Sequence, residues 1–179
     1  VDPVVIGLLA AADVSGCVAI GLEATASASD GIAIGDGASA TAIAGVAVGT
    51  GATAPDTAVA IGANAGLNGM ALSAIAIGVF SGAGSEDAIA IGDGAVVHAA
   101  SDFGIAIGAG AHATGTDSVA VGASVTAAAA NAFVLGKSTH NVSIPGHVGF
   151  HGHAPVAQSA TPVTLADVIA VLQAHGLCA

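Results

Sequence analysis

The chain has 179 residues, 54 % of them apolar and 7 % charged, with 27 glycines, no Trp or Tyr, and a formal charge of −11. That hydrophobicity excludes a disordered chain. The single cation among Lys and Arg, Lys137, excludes a nucleic-acid binder or a polybasic membrane anchor, both of which need many.

A mean hydropathy of +0.89 invites a membrane reading. Gly, Asp, Ser or Thr interrupts every apolar stretch, however, well short of the ~20 residues that a spanning helix needs. Val1 to Gly7 has no basic n-region and no long apolar core, so no signal peptide is visible. Cys17 and Cys178 stand near opposite ends. They form neither a disulfide framework nor a zinc pattern, and are read as small buried or terminal thiols.

From the first residues onward an apolar-Ala-apolar-Gly tetrapeptide recurs. A degenerate copy, Val4-Val5-Ile6-Gly7, is followed by Val18-Ala19-Ile20-Gly21, Ile32-Ala33-Ile34-Gly35, Val46-Ala47-Val48-Gly49 and Val59-Ala60-Ile61-Gly62. Ile75-Ala76-Ile77-Gly78, Ile89-Ala90-Ile91-Gly92, Ile105-Ala106-Ile107-Gly108 and Val119-Ala120-Val121-Gly122 continue it, and Phe133-Val134-Leu135-Gly136 closes it. The ten glycines are spaced 14, 14, 14, 13, 16, 14, 16, 14 and 14 residues apart. Such a period marks a solenoid, whose units bury a core only by stacking.

Each unit carries two segments of period two. In the first, Ile32 and Ile34 share one side and Ala33 takes the other. In the second, Ala38 and Ala40 alternate with Ser39 and Thr41, as Ala24 and Ala26 do with Thr25. The large Ile and Val are expected to point inward, over the inward alanines of the second segment. Ala19, Ala33, Ala47, Ala60, Ala76, Ala90, Ala106 and Ala120 would then face outward as a flat apolar stripe, the association face of a trimer. The fold class is all-β: a parallel β-roll or β-solenoid of about ten 14-residue rungs, trimeric, with a short C-terminal α-helix.

The repeat resembles the head repeats of trimeric autotransporter adhesins of the YadA type, roughly from Val4 to Lys137. That resemblance implies a left-handed parallel β-roll, with three rolls side by side. The same repeat looks similar in bacteriophage fibre and other virion proteins.

After Gly136 the register stops. Residues 1–137 are expected to be the roll, 138–160 a neck, and 161–179 a helical end. Gly149-Phe150-His151-Gly152-His153-Ala154-Pro155-Val156-Ala157 looks like an element near the C-terminus of many phage tail proteins. Thr164 is an expected N-cap. Leu165, Val168, Ile169 and Leu172 follow at helical spacing and are assigned to the trimer interface, with Gly176 as the C′ residue. No long coiled-coil stalk and no 12-strand anchor is visible, which argues against a complete autotransporter.

Two sets of residues invite chemistry. His147, His151 and His153 form an H-x3-H-x-H run, and His151 and His153 from three chains would offer six imidazoles to a transition metal on the trimer axis. The plainer reading makes them turn residues at a junction. His98 and His112 are read as surface residues. Asp30, Asp87 and Asp117 precede their glycines by five, and Asp56 and Asp102 by six; Asp36 and Asp93 sit in Gly-Asp-Gly. Stacked carboxylates suit Ca²⁺, but Ser73 and Asn131 interrupt them, and turn formation alone explains the residue choice. No phosphate loop, nucleophile elbow or paired-carboxylate cleft is legible, so no enzyme and no cofactor is expected.

The sequence therefore points to a homotrimeric, non-enzymatic virion component: a fibre, spike or capsid decoration contacting other virion proteins, without nucleic-acid or membrane partners. The alternative is a bacterial adhesin head at the cell surface binding host or matrix, and a third reading is an extracellular filament subunit. A continuous strand ladder with few titrating side chains should resist heat. Cooperative melting is expected above about 65 °C, the upper end of the mesophile range, in a calorimetric scan; a melt below about 50 °C contradicts this.

Overall fold

A computed structural model describes residues 2–67, 69–139, 165–174 and 176. The chain divides into two units, Val1–His140 and Asn141–Ala179. Among the described residues, the first unit contains β1 (Val4–Ile6), β2 (Ala11–Ala12), β3 (Val18–Ile20), β4 (Thr25–Ala26), β5 (Ile32–Ile34), β6 (Ser39–Ala40), β7 (Val46–Val48), β8 (Thr53–Ala54) and β9 (Val59–Ile61). It continues with β10 (Ile75–Ile77), β11 (Gly82–Ala83), β12 (Ile89–Ile91), β13 (Val96–Val97), β14 (Ile105–Ile107), β15 (His112–Ala113), β16 (Val119–Val121), β17 (Thr126–Ala127) and β18 (Phe133–Leu135). The second unit contributes the helix α1 (Leu165–Ala174), and Gly176 behind it has the left-handed φ of 65° expected of a C′ glycine.

The strands that begin the repeats stack into one parallel ten-stranded sheet, β1-β3-β5-β7-β9-β10-β12-β14-β16-β18. The two-residue strands form two parallel four-stranded sheets, β2-β4-β6-β8 and β11-β13-β15-β17. The chain is thus a β-solenoid of about nine turns with roughly 14 residues per turn. Each repeat position lies over its counterpart: Ile32 pairs with Val46 and Ala33 with Ala47. The 13-residue and 16-residue spacings keep this register, since Val46 pairs with Val59 and Val59 with Ile75. The turns absorb the difference. In the long coil after Gly62 the second sheet is interrupted, and Met70 packs against the core on both sides of the gap. Its unbranched thioether suits an irregular space.

Two conformational demands explain the glycines. From Gly7 to Gly122 the repeat glycines have φ of 127–139°, a region that only glycine enters readily. They also sit against the next coil: a Cβ on Gly35 would lie 2.5 Å from the carbonyl oxygen of Gly49. Two residues further on, each coil has a left-handed residue, Gly37, Gly51, Gly94 and Gly110 in four coils but Leu9, Glu23, Asn64, Phe80 and Ser124 in others. A second left-handed position precedes each three-residue strand from β3 onward. Asp30, Asp87 and Asp117 occupy it with φ of 61°, 55° and 54°, and so do Ser73 and Asn131. Asp and Asn tolerate this region better than most residues, which accounts for Asp30, Asp87, Asp117 and Asn131 at this place.

The core reverses one expectation. Ala19, Ala33, Ala47, Ala60, Ala76, Ala90, Ala106 and Ala120 are all 0 % exposed. They point into the coil, not away from it, and cannot form an outward stripe. The flanking Ile and Val point out. The second segment is phased as expected, with Ala24, Ala26, Ala38, Ala40, Ala52, Ala54, Ala111 and Ala113 buried. Methyl groups therefore meet methyl groups across the interior. The largest fully buried side chains are only Val97 and Val125. Facing Val97 the chain has Gly104, where a Cβ would come within 2.6 Å of the Val97 Cγ1. A larger residue on one wall is matched by a smaller one on the other. The buried polar groups are Ser81, Ser85, Ser101 and Ser118, and all are paired. The Ser85 hydroxyl donates to the Ser101 carbonyl at 2.7 Å, the Ser101 hydroxyl to the Gly115 carbonyl, and the Ser118 hydroxyl to the Ala127 carbonyl at 3.2 Å.

Two substitutions two residues apart separate these demands. Gly35→Ala is expected to cost about 3 kcal/mol or more, combining a forbidden φ with a backbone clash. Gly37→Asn, in open space at a position where other coils hold Asn or Glu, is expected to cost under about 1 kcal/mol. Urea midpoints of the two variants check the contrast.

Candidate functional site

The outward face of the ten-stranded sheet is apolar throughout. Its first column runs Val4, Val18, Ile32, Val46, Val59, Ile75, Ile89, Ile105, Val119 and Phe133. The second runs Ile6, Ile20, Ile34, Val48, Ile61, Ile77, Ile91, Ile107, Val121 and Leu135. Adjacent strands lie about 4.8 Å apart, so ten of them extend the columns over roughly 43 Å. The Ile and Val side chains are half-buried by their neighbours above and below. Those of the second column remain partly open, with Ile34 at 36 % and Ile61 at 39 %. The residues that best favour strands thus build a continuous hydrophobic face that no other described residue covers. A patch of this extent on a folded protein marks an association surface.

The other walls differ. The outward positions of the short strands hold Thr25, Ser39 and Thr53 in one sheet and Val96, His112 and Thr126 in the other. The corners carry the charge: Asp30, Asp56, Glu86, Asp87, Asp102 and Asp117 precede the three-residue strands, while Glu23, Asp36 and Asp93 follow the repeat glycines. The apolar face carries none of these acids.

The remaining candidates are scattered. His151 and His153 lie outside the described residues, as do Thr164 and the element from Gly149 to Ala157. Leu165 and Val168 belong to α1, and in the same helix Ile169 and Leu172 expose apolar side chains. Cys17 is buried, with its thiol donating to the Ala28 carbonyl at 2.9 Å. Among the described residues, no group of three or more His, Cys, Asp or Glu converges, and no helix is long and apolar enough to cross a membrane. His98 and His112, from neighbouring coils, bring their rings within 6.0 Å. The alanines expected to face outward are buried, and the apolar face lies on the other side of the strand. The missed signal is that both segments of the repeat carry small residues at a common period, which leaves the large ones nowhere to go but out.

Comparison with known proteins agrees with this geometry. The profile of the YadA head domain repeat (2 copies) matches residues 18–38, 26–52, 71–95 and 99–124, so these coils are similar to head repeats of the YadA type. Among solved structures, the chain is similar to the collagen-binding domain of the Yersinia adhesin YadA, at 22 % identity and a TM-score of 0.55, covering 88 % of this chain and 75 % of that one. No curated protein matches the chain.

Adjacent substitutions distinguish the two faces of a strand. Ala90→Leu, directed into the closed interior, is expected to destabilise the coil by about 2 kcal/mol or more. Ile91→Thr, directed outward, should leave the far-ultraviolet circular dichroism of the coil unchanged. Equal loss of β signal in both variants would refute the orientation.

Proposed function

We propose that the chain is a non-catalytic head segment of a bacterial surface adhesin, acting as a homotrimer. The observation that carries this reading is the double column of Ile and Val facing out of the ten-stranded sheet. Three such faces turned toward a common axis bury one another and leave the Ser, Thr and acidic walls to solvent. The charge of −11 per chain, three times that per trimer, favours solubility and opposes binding to nucleic acid and anionic membranes. The exposed helix residues Ile169 and Leu172 add a second contact between chains, since a ten-residue helix is marginal alone in water.

An extracellular matrix protein of the collagen type is the first ligand to test, because the similar Yersinia domain is described as collagen-binding. The location that goes with this reading is the cell surface. The virion role suggested by the sequence rests on Gly149 to Ala157, outside the described residues, and the repeat match weighs on the adhesin side.

Native mass in solution tests the assembly. A particle of three times the 16.4 kDa chain is expected at micromolar concentration. The pair Ile34→Glu and Ile91→Glu should convert it to monomers and abolish binding to immobilised collagen in a surface assay. A parent chain that is monomeric at that concentration overturns the proposal; a trimer that ignores collagen overturns only the ligand.

A further inference from the structure

His98 and His112 come from consecutive coils on the same outer wall. Parallel pairing of β13 with β15 sets Val96 opposite His112 and Val97 opposite Ala113. The backbone fixes both residues: the His98 N–H donates to the Ala113 carbonyl at 3.0 Å, and the His112 N–H to the Val125 carbonyl at 2.7 Å. Their neighbours Val97, Ala111 and Ala113 fill the interior, so both imidazoles lie on the solvent side. The ring centres are 6.0 Å apart, with the planes at 50°. A metal–nitrogen bond of about 2.0–2.1 Å places an ion roughly 3 Å from an imidazole centre, so two rings sharing one ion stand up to about 6 Å apart. The ring separation thus matches two ligands on opposite sides of one ion, and backbone hydrogen bonds tie both residues to the ladder.

The neighbouring coil shows what these columns otherwise hold. His112 pairs with Thr126, and one register step past the pairing of Val97 with Ala113 brings His98 opposite Thr114. Two adjacent coils depart from hydroxyl residues to imidazole at diagonal positions.

We propose that His98 and His112 together bind a divalent transition ion, with water completing the coordination and Cu²⁺ preferred over Ni²⁺ and Zn²⁺. Imidazole suits these metals, and the order follows their general affinity for nitrogen sites. Because the described residues offer no third ligand at a common point, the ion remains open to solvent or to an external donor.

The test titrates Cu²⁺ into the full chain, reading stoichiometry by calorimetry and the ligand set by electron paramagnetic resonance. One tight ion per chain with two imidazole nitrogens is expected. His98→Thr and His112→Thr, which install the residues of the next coil and so keep the fold, should each weaken that ion about tenfold or more, because chelation is lost. Replacing His151 and His153 with Ala should leave it in place. The proposal is overturned if either Thr variant binds like the parent, if the first ion is lost with His151 and His153, or if the parent spectrum shows a single nitrogen.

Discussion

Most inward positions of this coil have room for little more than one methyl group. About 14 residues must form two strands and two reversals and still return to the same radial place one strand spacing further on. A ring that short encloses few of the branched side chains that usually fill a β core. Alanine therefore occupies the interior, and Val97 requires Gly104 opposite it. The burial that stabilises most domains is weak here per residue, since a methyl group removes little apolar area from water. Stability rests instead on the unbroken hydrogen-bond ladder and on what covers the outside.

The expelled Ile and Val join the fold to its function. A globular domain hides such residues within itself; this one displays them in two columns along the whole sheet. Interior and interface have exchanged their usual compositions. The apolar face is therefore as long as the solenoid, and every added coil extends it. The charged residues stay at the corners, where left-handed backbone favours Asp at Asp30, Asp87 and Asp117, and so the acids keep clear of the face.

Much of this was legible in the sequence. The glycine period fixed the coil length, the two period-two segments fixed two strands per coil, and the helical spacing of Leu165 to Leu172 with Gly176 behind it marked α1. The phase of the first segment was misread. Period two says which residues share a side and not which side is inside, and moving one residue along a strand exchanges its faces. The usual preference of Ile and Val for the interior gave the wrong choice, and only the closeness of the walls decides it. The His98 and His112 pair was hidden for another reason. The two histidines stand at different places in the repeat, six and four residues past their glycines, so the spacing alone did not reveal that their rings lie 6.0 Å apart.

In-register stacking also bears on heredity. Because successive coils differ little and each meets its neighbours through the same joints, a gene duplication or deletion that spans one unit leaves an intact reading frame and a foldable product. Its reach changes by a single strand spacing while its cross-section stays the same. Length is thus a trait that the gain or loss of whole units adjusts in nearly fixed increments, as links are added to a chain.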